Sequence, residues 1–243
     1  MKDLYDIHCH ILPGVDDGAK DMETAVELIR REAEAGIGTI ILTPHFRKEM
    51  FEASMDDIWA AYDELSWEIR NTGVRLYMGC EFHANMDMTS ILDEGLRPTM
   101  AGSPYVLTEF ATGSTAAFIQ ERADDLLTSG YRPILAHIER YRALRKDFDL
   151  IEHLIEMGCS MQVNADSVIG KEGLGAQAFC KKLMQADMLH FIGSDAHDLK
   201  RRAPRMGECS EYLKKKMGRI YTSRLMRENP ARVIESGTEG YEA

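Results

Sequence analysis

Asp6-Ile7-His8-Cys9-His10, followed closely by Gly14-Val15-Asp16-Asp17-Gly18, is the stretch on which the fold turns. The short apolar run over 3–8 predicts a β-strand. In an extended chain residues i and i+2 face the same side, so the His8 and His10 imidazoles can reach one cation. The loop that follows is bounded by glycines and can bend an acid, Asp16 or Asp17, back to the same place. A helical pattern over 21–35 comes next, with acids in its first turn and Gly36 as its stop.

The same alternation continues outward along the chain. Apolar runs over 38–43, 74–81, 104–109, 133–137, 159–163 and 188–194 predict six more strands. Helical patterns fall between them over 55–71, 115–128 (with Ser114 as its cap), 150–157 and 177–186. Strand and helix in alternation is the pattern of right-handed βαβ units and parallel sheet. Seven such units favour an α/β barrel, with an open doubly wound sheet as the second choice. The 243 residues suit a single barrel domain over 1–243, with a loose polar tail over 236–243.

Composition bounds the function. Apolar residues make up 44% and charged residues 28% of the chain, as expected of a soluble globular protein. The formal net charge of −11 argues against nucleic acid as a partner. Five widely spaced cysteines without a Cys-x-x-Cys pair predict reduced thiols rather than a disulfide framework. The N-terminus is charged, and no apolar run approaches a membrane span, so a cytoplasmic location without membrane insertion is expected. Self-association remains open.

The histidines and acids fall at the predicted strand ends. His8 and His10 end the first strand, His45 the second, Glu81 the third, Glu109 the fourth and His137 the fifth, and Asp195 and His197 end the seventh. In a parallel barrel that end carries the active site. Glu81 and Glu109 each close an apolar run, where a carboxylate is costly without a cation. Each signal alone has a plain structural explanation, such as a salt bridge or a core histidine; the set together predicts a metal centre. His83, His153 and His190 are not expected to be ligands. Arg140, close behind His137, and Arg202, in a basic loop with Lys200, Arg201 and Arg205, suggest a phosphate clamp. No cysteine has an arginine six residues on, and neither a Walker loop nor a Gly-x-Ser-x-Gly elbow occurs.

These segments resemble the polymerase and histidinol phosphatase (PHP) superfamily. Within it the chain is most similar to the manganese-dependent protein-tyrosine phosphatases of Gram-positive capsule and exopolysaccharide operons. The narrower likeness lies in His137-Ile138-Glu139-Arg140-Tyr141 and in the 46–52 segment that opens with Phe46-Arg47-Lys48. The resemblance implies a distorted (β/α)7 TIM-like barrel and three divalent ions, with Mn2+ favoured and Fe, Mg2+ or Zn2+ as other candidates. It implies His8, His10, Glu81 and Asp195 as ligands of the first ion. Glu81 would bridge to a second held also by Glu109 and His137. Asp17, His45 and His197 would hold the third, Asp17 being preferred to Asp16 because the family's acid directly precedes the glycine. Hydrolysis of phosphotyrosine is then expected, with His137, Arg140 and Arg202 at the reacting phosphate. The partner implied is the tyrosine-rich tail of a bacterial tyrosine kinase that controls polysaccharide synthesis, gripped at the rim over 46–51. The alternatives are a small-molecule phosphomonoesterase such as a histidinol-phosphatase, and a non-catalytic metal-bound module.

Overall fold

The computed structural model describes residues 3–238. Nine short strands occur among them: β1 (Leu4–Asp6), β2 (Ile37–Leu42), β3 (His45–Phe46), β4 (Arg75–Met78), β5 (Glu81–His83), β6 (Tyr105–Glu109), β7 (Arg132–Leu135), β8 (Ser160–Asn164) and β9 (Phe191–Gly193). They form seven staves, because β2 and β3 are one stave broken at Thr43-Pro44, and β4 and β5 one stave broken at Gly79-Cys80. Hydrogen bonds cross both breaks: Gly79 N donates to Leu42 O (2.8 Å) and Glu81 N to Pro44 O (3.1 Å). Proline has no N–H for a ladder, so Pro44 sits at an interruption rather than within a strand.

All strand pairings are parallel, in the orders β1-β2-β4 and β3-β5-β6-β7-β8-β9. The sheet closes just past the strand ends, where Asp195 N donates to His8 O and His10 N to Ala196 O, both at 2.8 Å. Closure there makes a distorted seven-stave barrel of an otherwise curled sheet. The fully buried run Ile37–Leu42 is what a strand covered on both faces requires.

Inside a barrel every second residue points inward. One apolar cluster gathers Ile7, Ile41, Leu107, Ile134 and Phe191 from the staves, with Tyr77 and Tyr105 partly buried against it. Val233 and Ile234, from the last helix (Asn229–Thr238), join the same cluster. The barrel interior is therefore filled with apolar side chains, and the same inward rows continue upward. His45 lies four residues beyond Ile41, Glu81 four beyond Tyr77, Glu109 two beyond Leu107 and Asp195 four beyond Phe191. Each shares the parity of the apolar residue below it, so the plug and the polar site are successive layers of one pattern.

The helices pack outside, and their boundaries refine the expected ones. Met22–Glu34 is capped by Asp21, whose carboxylate accepts from Thr24 N. Ala116–Thr128 takes its cap from Thr115, not from Ser114 as expected, since the Thr115 hydroxyl accepts from Phe118 N. Phe148–Met157 begins earlier than expected, capped by Asp147, and so does Leu174–Gln185. The last helix runs through Ser236 and Gly237, where a loose tail was expected, and 239–243 lie outside the described residues. All five cysteines are buried free thiols. No helix among the described residues is long and apolar enough to cross a membrane.

Candidate metal centre

The nine candidate ligands, eight at strand ends and Asp17 in the loop behind the first, meet at the mouth of the barrel. Potential ligand atoms cluster in four overlapping groups: His10, Asp17, His45 and His197; His8, Glu81 and His137; His8, His10 and Asp195; and His45, Glu81 and Glu109. Every expected ligand is in at least one group. Exposed His153 is in none, and neither are His83 and His190.

Glu81 sits at the centre and is fully buried. Its Oε2 lies 3.2 Å from His8 Nε2, 3.1 Å from His10 Nε2 and 3.1 Å from His45 Nδ1. None of these approaches has hydrogen-bond geometry, and Glu81 Oε2, His45 Nδ1 and His197 Nε2 are buried atoms without a hydrogen-bond partner. Buried polar atoms are ordinarily satisfied. Three imidazole nitrogens crowded onto one carboxylate oxygen, with lone pairs left over, are the donor set that divalent cations take. These residues fit the ions that the resemblance implies.

Glu81 Oε1 lies 2.8 Å from His137 Nε2, with Glu109 Oε1 3.6 Å from the same nitrogen. His137 is out of phase with the inward row of Ile134 and Ala136. It reaches the site through a left-handed backbone (φ 32°), and Asp195 is left-handed too (φ 53°). Such conformations are strained for residues with a Cβ and gather at functional sites. Gly193 gives the close approach its room: a Cβ there would lie 2.5 Å from the His8 Cβ.

A supporting layer fixes the rings, and most of it escaped the sequence reading. Asp16 Oδ2 lies 2.8 Å from His10 Nδ1 and accepts from His45 N (2.9 Å). Asp17, the residue preferred as a ligand, faces His45 and His197 instead (3.6 and 3.5 Å). Gln162 Oε1 accepts from His137 N and lies 3.3 Å from His8 Nδ1. Asn164 Nδ2 donates to Asp195 Oδ2 (2.7 Å), and Asp6 accepts from the Ser194 amide and hydroxyl. The signal for Gln162 and Asn164 was available: two polar residues two apart at the end of the sixth predicted strand and just past it, the one predicted strand whose end carries no histidine or carboxylate.

Charge is strongly coupled across the cluster. Burial alone would lower the His10 pKa, but Asp16 and Glu81 override it and hold the imidazole up at about 10. Burial and the His10 charge push His45 down to about 4. Burial and Glu81 raise Glu109 to about 6. Against the pull of burial, His8, Arg140 and Arg202 hold Asp195 well below the carboxylate range. Both arginines expected at the phosphate reach the site. Arg140 contacts Asp195 Oδ2 at 2.9 Å and Arg202 contacts Oδ1 at 2.7 Å. They line, with Glu81, Glu109, His137 and Arg47, an open cavity of about 280 Å3.

Fold and site together define a parallel barrel whose mouth carries a carboxylate and imidazole cluster suited to cations, flanked by two arginines. The family described as capsular polysaccharide synthesis, CpsB/CapC, matches residues 4–235, and the chain belongs to it. Tyrosine-protein phosphatase CpsB of Streptococcus pneumoniae is 33% identical over 95% of this chain and 98% of its own length. Tyrosine-protein phosphatase YwqE of Bacillus subtilis is 32% identical over 88% and 85%. A solved structure from work on these two proteins, described there as unique metal-dependent tyrosine phosphatases, aligns with a TM-score of 0.89 at 31% identity, covering 96% of this chain and 94% of that one. A histidinol phosphate phosphatase from Lactococcus lactis shares the fold (TM-score 0.61, 13% identity, 89% and 94% covered).

Proposed function

We propose that this chain, as a single phosphoesterase domain, is a metal-dependent tyrosine-protein phosphatase holding three divalent ions, most suitably Mn2+. His8, His10, Glu81 and Asp195 would hold one ion, Glu81, Glu109 and His137 a second, and Asp17, His45 and His197 a third. The observation that carries this is the convergence of imidazole nitrogens on Glu81 Oε2 beside Arg140 and Arg202 in one cavity. Bound ions supply Lewis acidity and bring water's pKa near neutrality. Arg140 and Arg202, held by Asp195, present their remaining donors to phosphate and neutralise charge building on its oxygens. Tyrosinate, with a pKa near 10, departs without a strong general acid.

The substrate we favour is the phosphotyrosine tail of a kinase controlling polysaccharide synthesis, met in the cytoplasm. Arg47, Met50 and Phe51 line the cavity, and Phe51 stacks on the His45 ring at 5.1 Å, which supports a rim there. Lys48 is paired with Asp87, so Arg47 is the cation of that rim.

The test is turnover by metal-stripped protein reconstituted with Mn2+, comparing a phosphotyrosine peptide with histidinol phosphate, alongside His137→Ala. Peptide turnover that the substitution abolishes is expected. Turnover of histidinol phosphate alone would transfer the assignment to a small-molecule phosphatase, and turnover of neither would overturn the activity.

A further inference from the structure

A second cavity of about 480 Å3 opens beside the metal centre and shares Asp17 with it, while His197 lines its near wall. Its outer wall carries Lys20, Lys200 and Arg201, all exposed. The carboxylates in the same cleft are engaged elsewhere. Asp198 accepts from the backbone amides of Lys200, Arg201 and Arg202, at 2.6, 2.7 and 3.3 Å. Asp21 caps its helix through Thr24 N, and Asp17 faces the His45 and His197 rings. Among the described residues, none of the Lys20, Lys200 and Arg201 side chains makes an ion pair. Lys20, Lys200 and Arg201 thus place three exposed cations without ion pairs at the lip of the candidate active site of a protein of net charge −11, while Asp198 is turned to backbone amides, Asp21 to its helix cap and Asp17 to imidazoles.

We propose that this cleft is a substrate subsite for an anionic group flanking the phosphotyrosine, on the same peptide. The proposal rests on the phosphatase assignment. An extended peptide entering the mouth with its phosphate at Arg140 and Arg202 would pass Asp17 and lay its neighbouring residues along Lys20, Lys200 and Arg201. The chemistry selected is a carboxylate or a second phosphate, and a neutral flank gains nothing there. Because the three cations are exposed and touch no proposed ligand except through the shared wall, they should govern peptide capture and leave the reacting centre alone.

The experiment uses three peptides around one phosphotyrosine: flanks of Glu and Asp, a second phosphotyrosine, and flanks of Ser. Binding of each is measured by fluorescence anisotropy, and KM and kcat are measured on the Mn2+-loaded enzyme, for the wild type and the Lys20→Ala/Lys200→Ala/Arg201→Ala variant. Exposed pairs are individually weak, so the three together should favour the anionic peptides by about tenfold in KM and affinity over the Ser peptide. The variant should lose that preference, with kcat and turnover of p-nitrophenyl phosphate unchanged. Preference for the carboxylate peptide alone, or for the doubly phosphorylated one alone, names the group the cleft takes. Equal affinity for all three peptides in the wild type, or a preference that survives in the variant, overturns the subsite while leaving the phosphatase assignment standing. Charge-selective binding without any turnover would do the reverse.

Discussion

Asp16 holds the His10 ring and the His45 amide, whereas Asp17 faces the rings of His45 and His197. Two adjacent acids thus take different roles, and the chain's periodicity alone did not separate them. The His10 imidazole, held up at about 10 by Asp16 and Glu81 against burial, carries a proton at neutral pH without metal. An incoming cation must displace that proton, so Mn2+ affinity should rise with pH until about 10, above which the ring is already neutral. Asp16→Asn removes the charge that retains the proton and the acceptor that orients the ring. Outer partners of this kind typically contribute 10–100-fold in metal affinity. The expected result by calorimetry is a loss of roughly that size together with less proton release on binding. Unchanged affinity and proton release would show that Asp16 does not set the ring. At this scale the candidate ligands were legible, because imidazoles and carboxylates at strand ends are conspicuous. The residues that hold them were not, since Gln162, Asn164 and Asp6 are ordinary polar residues until their partners are known.

The helix Met22–Glu34 carries a buried glutamate. Glu32 is 1% exposed, and neither carboxylate oxygen has a hydrogen-bond partner. Burial, with Asp6 adding to it, pushes its pKa well above the carboxylate range. A raised carboxyl favours the folded state fully below its ordinary value, near 4.3, and that contribution is lost as pH climbs toward the raised one. Glu32→Gln has no proton to lose. Its melting temperature should therefore gain on the wild type's as pH goes from 5 to 8, each kcal/mol appearing as about 2–4 °C. Parallel melting curves across that range would contradict the buried neutral state. Glu32 was hidden because a charged residue within an amphipathic helix reads as a solvated face. At the same scale, six of the seven staves bring candidate ligands to the mouth, four of them directly in phase with the apolar rows beneath them. His137 arrives out of phase through a left-handed backbone, which no residue pattern announces. The helices Met206–Lys216 and Asn229–Thr238, beyond the last stave, had no sequence assignment, although the second fills the barrel from below.

Over the whole molecule, parallel order and closure between the first and last staves place the nine candidate ligands, Arg140 and Arg202 at one mouth. The alternation of apolar runs and helices made the barrel the better choice, yet closure itself depends on two hydrogen bonds past the strand ends, at His8 and Ala196, which periodicity cannot reveal. Stripping the ions should expose the crowding around Glu81: like-charged carboxylates and a protonated His10 would then share one buried site. The metal-free protein should accordingly melt lower than the loaded one, by an amount that grows with free Mn2+ concentration, and a melting temperature indifferent to Mn2+ would argue against ligation. Bound manganese per chain, measured by mass spectrometry of the elements after reconstitution and desalting, tests the central claim most directly. Three ions are expected in the wild type and a lower content in His45→Ala, whose imidazole contacts Asp17 and Glu81. A wild type that retains none, or a His45→Ala variant that retains as many as the wild type, would contradict it.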